Sequence, residues 1–374
     1  MRLGVVSTFP PYRGGIAQFN AAMVSALEAQ GHEVVAVTWR RQYPELLFPG
    51  SSQLDPGATL DQAPVPAMLD SLAPWTWKHV AAHVAKHDVD VLVLPFWHAA
   101  LAPALGGVAT HAKRMGVPRV WALMHNASSH DGAWWHRALT ARFLRRADRV
   151  VTLSEGVSNA LKAHRPTTLF HPLMNHGGSG PGRSEARRRL GLPAQARVHL
   201  FFGLIRPYKG LHLLLEALAS LGDHHHLVIA GECYGSFEPY ARAIQTLGLE
   251  PRVHVHQEFI ETSDVPVFMD AADDMVLPYL TATQSGVTAL ALHHRLRVIA
   301  SDVGDLRQTV VPELTGRLVP PNNPAALADA MNRDWSAQAV DTKAAFAQVA
   351  KRLSWSEWAV RLTQQVEQPE AEAL

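Results

Sequence analysis

The feature that most constrains this chain is an alternation of two kinds of segment along its whole length. Short apolar runs rich in β-branched residues alternate with stretches whose apolar residues recur every three or four positions, as in Ile16, Phe19 and Met23. The apolar runs are typical of buried strands. The periodic stretches are typical of helices that cover a sheet. The alternation therefore predicts an α/β protein with parallel sheets. The predicted strands are 3–7, 33–38, 89–96, 119–125, 150–154, 198–202, 227–230, 253–256, 275–278 and 298–300.

A segment rich in Gly, Pro and Ser divides the alternation into two halves. Residues 173–186 lack apolar periodicity, so we predict a linker between an N-terminal domain over 1–172 and a C-terminal domain over 187–350. The chain length of 374 residues agrees, because one domain takes roughly 100–200 residues. The stretch from 342 to about 368 is long and amphipathic, and we predict a C-terminal helix over residues 351–374.

Composition and charge exclude several classes of protein. Lys plus Arg number 34 and Asp plus Glu 33, so the balanced charge excludes nucleic-acid binding through a bulk basic field. A single cysteine excludes an internal disulfide and a cysteine-cluster metal site, and it fits a reducing compartment. No apolar stretch reaches the ~18 residues of a membrane span, and the N-terminus lacks the apolar core of a signal peptide. We therefore expect a cytoplasmic protein; the sequence carries no signal for an oligomeric state.

The first candidate site is the turn after the first strand, which contains Gly14, Gly15 and Ile16. Two glycines let the backbone approach a ligand closely, and the following helix N-terminus offers free N–H groups. A tight strand–helix turn without a ligand explains the same residues equally well. The turn is not the Gly-x-Gly-x-x-Gly fingerprint, which disfavours a dinucleotide-dependent oxidoreductase.

The loop that opens the second half carries two cations. Arg206 and Lys209 stand three positions apart, after the predicted strand 198–202, and Pro207 stiffens the chain between them. Arginine offers a forked set of donors and lysine a compact point charge, a pair that suits a diphosphate. A solvated basic pair is the alternative, and the proline favours a fixed placement.

A third candidate site is segment 282–287, which follows the predicted strand 275–278 and precedes a helix. Thr283 or Ser285 can cap that helix, and Gly286 leaves backbone amides accessible, so the segment predicts an anion cradle. It is not a Walker loop, because no Gly-Lys-Ser/Thr follows. An ordinary capped helix is an equally good interpretation.

Polar residues at two further strand ends complete the candidates. His125 and Asn126 directly follow apolar residues 120–124, and Glu232 follows residues 227–230 after one glycine. In open parallel sheets, ligands bind beyond the carboxyl ends of the strands, so these side chains are candidates for a site there. The chain has 21 histidines, and a structural role for His125 is the alternative.

Taken together, these segments resemble the GT-B glycosyltransferases of family 4 over nearly the whole chain. The residues that carry the resemblance are Gly14-Gly15-Ile16, His125-Asn126, 147–155, 203–210, 228–232, 298–301, 315–319 and 353–358. Each motif is degenerate, whereas their order and spacing are specific. The resemblance implies two doubly wound Rossmann-like domains facing across a cleft, with residues 351–374 crossing back to the N-terminal domain.

The resemblance also implies an activity and a set of site residues. It implies retaining transfer of a hexose-type sugar from a nucleotide-diphosphate donor to a glycan or lipid-linked acceptor, with no metal and no further cofactor. By position, Arg206 and Lys209 would neutralise the leaving diphosphate, and His125 would lie near the donor sugar. The donor-binding residues would be Gly14, Gly15, Ile16, Glu232, Phe259, Ile260, Gln284, Ser285, Gly286 and Val287.

The chain departs from the family at one pair of positions. Ala282 and Leu290 stand where the family usually has two glutamates that hold the donor's hydroxyl groups, if no gap intervenes. Gln284, Glu232 or Asp305 would then supply those hydrogen bonds. The departure leaves two alternatives open: a nucleotide-sugar-binding protein with lost or altered catalysis, and a nucleotide-sugar epimerase of the same fold.

Two clusters of basic residues are expected to be solvated. Residues 187–189 indicate the exposed face of a short helix. The other cluster mixes basic and aromatic side chains: Trp134, Trp135, Arg137, Arg142, Phe143, Arg145 and Arg146. We favour Phe143 in the core and the arginines in solvent; a weak peripheral contact with an anionic leaflet, at the inner face of the cytoplasmic membrane, is the alternative.

Overall fold

A computed structural model of the chain describes residues 1–43, 53–55, 57–127, 134–173, 178–282, 286–304, 306–335 and 342–367. The chain divides into two compact units. Unit 1 is formed by Met1–Pro172 together with the segment from Leu353 onward, and unit 2 by Leu173–Arg352. None of the helices in these ranges is long and apolar enough to cross a membrane.

Unit 1 contains a parallel sheet covered by helices. Its strands are β1 (Arg2–Val6), β2 (Glu33–Arg41), β3 (Ala67–Asp70), β4 (Val91–Phe96), β5 (Val120–Met124), β6 (Arg149–Thr152) and β7 (Thr167–Thr168). Its first helices are α1 (Gly15–Ala29), α2 (Pro74–Lys86), α3 (Ala102–Arg114), α4 (Trp134–Leu144) and α5 (Glu155–Ala160). The strand order is β3-β2-β1-β4-β5-β6-β7, so the direction of winding reverses between β1 and β4. Every residue of β4 and β5 is buried, because helices cover both faces of the sheet.

Unit 2 repeats the same architecture. Its strands are β8 (Arg197–Phe202), β9 (His225–Ala230), β10 (Val253–His256), β11 (Asp274–Leu277), β12 (Arg297–Ser301) and β13 (Gly316–Val319), in the order β10-β9-β8-β11-β12-β13. Its helices are α6 (Arg183–Arg189), α7 (Leu211–Ala219), α8 (Glu238–Thr246), α9 (Val265–Ala271), α10 (Gly286–His293), α11 (Leu306–Thr309) and α12 (Pro324–Asn332). All described strand pairs of both sheets are parallel, and the α/β prediction with two doubly wound sheets is confirmed.

Side chains of β8 alternate between two hydrophobic clusters, one on each face of the unit 2 sheet. Leu200 and Phe202 belong to one cluster, and Phe201 belongs to the other. Since successive side chains of a strand point to opposite faces, this alternation buries the strand from both sides. The carboxyl end of β8 is thereby fixed in the middle of the sheet.

The C-terminal segment forms two helices. They are α13 (Thr342–Arg352) and α14 (Trp355–Glu367). A new helix begins after Ser354 because its hydroxyl accepts a hydrogen bond from the Glu357 backbone N–H at 3.2 Å, as an N-cap does. Helix α14 belongs to unit 1, where the rings of Trp355 and Trp358 pack edge-on against Phe19 of α1 at 4.9 and 5.7 Å.

Arg188 and Arg189 of helix α6 are exposed as expected, whereas Arg187 is not. Arg187 is buried in unit 2 and donates hydrogen bonds to the carbonyls of Ala271, Ala194 and Ala196 at 3.0, 2.7 and 2.8 Å. Its guanidinium also pairs with Asp273 at 2.8 Å. The first turn of α6 is formed by residues 183–186, which we assigned to the linker. The helix starts there because Asp270 accepts the backbone N–H of Gly182 at 2.8 Å.

Candidate active site

The topology of unit 2 places two loops side by side at one edge of the sheet. β8 and β11 are neighbours, and the order of strands reverses between them. The loops after these two strands therefore flank the crevice where open α/β sheets bind ligands. They are joined by a hydrogen bond from the Leu280 backbone N–H to the Tyr208 carbonyl at 2.8 Å.

The loop after β8 is also fixed by the loop after β9. The Ile205 backbone N–H donates to the Glu232 carbonyl at 2.9 Å, and the Tyr234 N–H donates back to the Ile205 carbonyl at 3.2 Å. Gly231 makes the close approach feasible, since a Cβ there would lie 2.4 Å from the Gly203 carbonyl oxygen. The backbone of this loop is thus set before any ligand binds.

Two cations stand on this fixed loop, each over an aromatic ring. The Arg206 guanidinium carbon lies 4.8 Å from the centre of the Tyr234 ring, and Lys209 Nζ lies 5.6 Å from the centre of the Tyr279 ring. Ring faces attract cations and hold these two side chains in place. Neither cation forms an ion pair with a carboxylate in the parts of the chain that the structure describes. Positive charge held without a counterion is suited to an anionic ligand.

Lys209 is almost completely buried, with 8% of its surface exposed. Burial lowers the pKa of its ammonium group to about 8; the positive charge of Arg206 adds to this lowering, and Tyr208 opposes it. An anion beside the ammonium group would favour the charged form and offset the cost of burial.

Helix α10 brings two further predicted residues to the same place. A Cβ built on Gly203 would lie 3.3 Å from Val287 Cγ2 and 3.5 Å from Lys209 Nζ, so these three residues meet. Gly286 is the first residue of α10, and its exposed backbone lies at the helix N-terminus, which favours anions. Gln284 and Ser285 lie outside the described residues.

Gly210 explains why the two loops pack so closely, and it allows a test. Its φ is +70°, and a Cβ there would lie 2.0 Å from the Pro278 carbonyl oxygen. We expect Gly210→Ala to displace Lys209 and to lower both the midpoint of thermal unfolding and the rate of any reaction at the site. The control is Gly248→Ala, whose φ is +65° but whose added Cβ meets nothing within 4 Å. Gly248→Ala carries only the cost of the left-handed backbone, about 1–2 kcal/mol. Equal losses of thermal stability in the two variants would contradict the close approach of Gly210 to Pro278.

The other predicted residues of unit 2 lie at the same edge of the sheet, at different distances from the β8 loop. Glu232 is half-buried, and its carbonyl fixes the β8 loop as described above. Phe259 and Ile260 follow β10, the outermost strand, roughly 10 Å from β8 at about 4.8 Å per strand. Ile260 packs partly against the hydrophobic cluster, while Leu290 is buried within it and presents no polar group.

The predicted residues of unit 1 gather at the carboxyl edge of its own sheet. His125 follows β5, and its backbone N–H donates to the Phe96 carbonyl at 2.9 Å. Its ring is buried edge-on against Phe19, with ring centres 4.7 Å apart. Burial, assisted by His171, lowers the pKa of His125 to about 3, so the ring is neutral at neutral pH. Gly14 and Gly15 are exposed at the start of α1, with open space beside both Cα atoms, and Ile16 is half-buried.

Sequence reasoning missed the aromatic partners of the two cations. Tyr234 and Tyr279 carry a weak signal, because each follows closely after a strand end. Their pairing with Arg206 and Lys209 depends on contacts between loops far apart in sequence. Among the described residues, no group of three or more His, Cys, Asp and Glu side chains could hold a metal ion.

The basic aromatic segment of unit 1 has both buried and exposed members. Phe143 is buried, and Arg146 donates to the Thr110 hydroxyl at 2.9 Å. Arg142 and Arg145 are exposed, and 44% of the Trp135 surface is exposed. Contact of this segment with a membrane stays a prediction.

Two family models match the chain. The model described as "Glycosyl transferase 4-like domain" matches residues 14–168, and the one described as "Glycosyl transferases group 1" matches residues 196–336. The two matches fall on the two units and together span most of the chain. This chain belongs to the GT-B glycosyltransferases.

Curated and solved relatives agree with this membership. This chain is 32% identical over 212 residues to D-rhamnosyltransferase WbpZ of Pseudomonas aeruginosa. The alignment covers 54% of this chain and 53% of that protein. The matched part of the chain spans about half or less of the first curated relatives' length. Sucrose-phosphate synthase of Thermosynechococcus elongatus has a similar structure, with a TM-score of 0.73, 22% identity and 98% of each chain covered.

A third relative was solved with a ligand. HepE of Anabaena in complex with UDP-glucose has a TM-score of 0.74 to this glycosyltransferase at 18% identity, with 98% of this chain and 99% of that chain covered. At such identities the likeness shows the fold. The predicted resemblance to GT-B glycosyltransferases, and the two Rossmann-like domains it implies, are confirmed.

Proposed function

We propose that this glycosyltransferase moves a hexose-type sugar, with retention of configuration, from a nucleotide-diphosphate donor to a glycan or lipid-linked acceptor. The proposal takes the donor as a substrate and involves no metal or further cofactor. The observation that carries it is the pair Arg206 and Lys209, held without carboxylate partners among the described residues at the strand-order reversal of unit 2.

The charges of the site fit the chemistry of the departing diphosphate. As the bond from sugar to phosphate breaks, negative charge grows on the phosphate oxygens. A guanidinium can hold two of those oxygens through its forked donors, and the ammonium of Lys209 adds a compact charge. The N-terminus of α10 adds backbone N–H groups and the positive end of a helix dipole. The loop contacts hold these groups in place before the reaction. They therefore need to move little as negative charge develops on the phosphates.

The sugar and the nucleotide class are supported by the relatives' names. WbpZ is named a D-rhamnosyltransferase, and HepE was solved with UDP-glucose. Both names support a hexose-type sugar, and the HepE complex supports a nucleoside diphosphate as its carrier. The neutral ring of His125 is able to accept or donate one hydrogen bond, which suits a sugar hydroxyl better than a phosphate.

An assay of the purified chain tests this function. The chain is incubated with UDP- and GDP-hexoses and a panel of glycan and lipid-linked acceptors, and the product is examined by NMR. We expect a glycoside with the anomeric configuration of the donor. Inversion would contradict the retaining mechanism. Donor binding by calorimetry without turnover on any acceptor would favour a nucleotide-sugar-binding protein, and sugar isomerisation without acceptor would favour an epimerase.

The pKa of Lys209 predicts how catalysis depends on pH. The group is charged below its pKa of about 8 and loses its charge above it, so we expect kcat/KM to fall as pH rises through about 8. The profile of kcat/KM is the appropriate measurement because it reports the free enzyme. The residual activity of Lys209→Met should lack this alkaline fall. A wild-type profile that stays flat to pH 9.5 would contradict the role of the ammonium group.

A further inference from the structure

Unit 2 has a second concave site, at the amino edge of its sheet. A solvent-open cavity of about 810 Å³ lies where β8, β11 and β12 begin, and we name it the arginine pocket. The residues used below are Arg183, Arg197, Asp270, Asp273, Arg295 and Arg297, together with Trp335 on its wall. The six residues of β8 separate this edge from the candidate active site by roughly 20 Å, at about 3.3 Å per residue. The pocket is therefore not part of the site for the donor.

The pocket contains guanidinium groups without acidic partners. Arg295 and Arg297 form no ion pair with a carboxylate in the ranges that the structure describes. Arg197 differs, because its guanidinium pairs with the buried Asp274 at 3.6 Å and donates to the Arg333 carbonyl at 2.7 Å. Two positively charged side chains, Arg295 and Arg297, thus retain donors that an incoming ligand could use.

Three carboxylates line the pocket: Asp270 and Asp273 are already engaged, and the negative charge of Asp334 acts on Arg297 to raise its pKa. Asp273 pairs with Arg187 at 2.8 Å and with Arg183 at 2.6 Å, and it also accepts the Val198 backbone N–H at 2.8 Å. Asp270 accepts the Gly182 N–H at 2.8 Å. These partners offset the negative charges of Asp270 and Asp273, which leaves Arg295 and Arg297 as the unmatched guanidiniums of the pocket.

The Trp335 ring holds the guanidinium of Arg297 and also contacts a second guanidinium, that of Arg317. The guanidinium carbons of Arg297 and Arg317 lie 4.7 and 3.8 Å from the centre of the Trp335 ring. Burial, followed by the positive charge of Arg317, lowers the pKa of Arg297, while Asp274 and Asp334 oppose the shift. A bound anion would relieve the repulsion between the two guanidiniums.

We propose that the arginine pocket is a second binding site, which takes a small phosphate-bearing molecule on Arg295 and Arg297. Forked guanidinium donors match the oxygens of a phosphate group better than a point charge does. The volume falls in the range of about 300–1,000 Å³ that is usual for sites of small ligands. Inorganic phosphate and a sugar phosphate share this chemistry and are the two sources to compare.

Calorimetric titration of the full chain tests the proposal. Inorganic phosphate and glucose 6-phosphate are titrated at constant ionic strength into a Lys209→Ala background, which removes a cation of the candidate active site. We expect saturable binding with one site per chain, weakened at least about tenfold in Arg297→Gln. The matched control Arg242→Gln also removes an arginine charge from unit 2, but its side chain is exposed and pairs with Glu238, so binding should be unchanged.

The outcomes separate the sources and the alternatives. Tighter binding of glucose 6-phosphate supports a sugar phosphate as the ligand, and equal binding of both probes supports phosphate alone. Circular dichroism checks that each variant is folded, and Arg295→Gln serves as a second variant because Arg295 is exposed. Absence of saturable binding, or equal binding in Arg297→Gln, Arg295→Gln and Arg242→Gln, would overturn the proposal. The result is independent of the sugar-transfer assay, which depends on the opposite edge of the sheet.

Discussion

Lys209→Ala is expected to lower the rate of sugar transfer by about 10²–10³-fold, because removing one preorganised donor from a transition-state site typically costs about that much. The effect is large at Lys209 because its ammonium is buried beside Tyr279, where water screens charge poorly. We expect most of the loss in kcat, since negative charge on the phosphates is greatest in the transition state. Steady-state kinetics with saturating acceptor measures this loss.

Arg206→Ala is expected to act in the same direction, and the double variant to lose more than either single variant. The control is Arg242→Ala, an exposed arginine in α8 whose salt bridge joins Glu238 in the same helix. It should transfer sugar at the wild-type rate. Wild-type turnover by a folded Arg206→Ala/Lys209→Ala variant would reject the assignment of both cations.

Arg187→Ala is expected to lower the free energy of unfolding of unit 2 by about 3–5 kcal/mol, the range found when one partner of a buried ion pair is removed. The guanidinium satisfies three carbonyls and shares Asp273 with Arg183. Its loss leaves buried carbonyls without donors and opens a cavity under α6. Denaturant unfolding followed by circular dichroism measures the change.

The neighbouring Arg188→Ala is the matched control for this second prediction. Arg188 is in the same helix, is largely exposed and pairs with Glu185 at 2.8 Å, an arrangement that contributes little to stability. We expect a much smaller change than for Arg187→Ala. Equal destabilisation by the two variants would contradict the structural role of the buried guanidinium.

The sequence predicted the parts of this protein that depend on local patterns. Short apolar runs located most strands, helical spacing located α1, and the position of Arg206 and Lys209 after a strand end placed both in one loop. The strand β3 was missed because its four residues, Ala67–Asp70, form too short an apolar run. The amphipathic pattern from 342 to about 368 did not show where one terminal helix ends and the next begins, because that boundary depends on the N-cap at Ser354.

Contacts between distant segments could not be predicted in this way. Arg187 is buried because α6 packs on α9 and brings it to the Ala271 carbonyl, 84 positions away, a pairing that helical periodicity does not contain. In the interior of unit 2, His199 bridges Asp274 at 2.6 Å and His225 at 2.9 Å, across three neighbouring strands. The register of those strands, rather than any sequence motif, brings these three side chains into one buried hydrogen-bond network.

The central claim is that Arg206 and Lys209 hold the diphosphate of the donor. A crystal structure of the chain with a nucleoside diphosphate tests it most directly. We predict phosphate oxygens within hydrogen-bond distance, about 2.7–3.2 Å, of both side chains. A well-ordered diphosphate bound away from the β8 loop, with both cations still over Tyr234 and Tyr279 and in contact with solvent alone, would contradict the account.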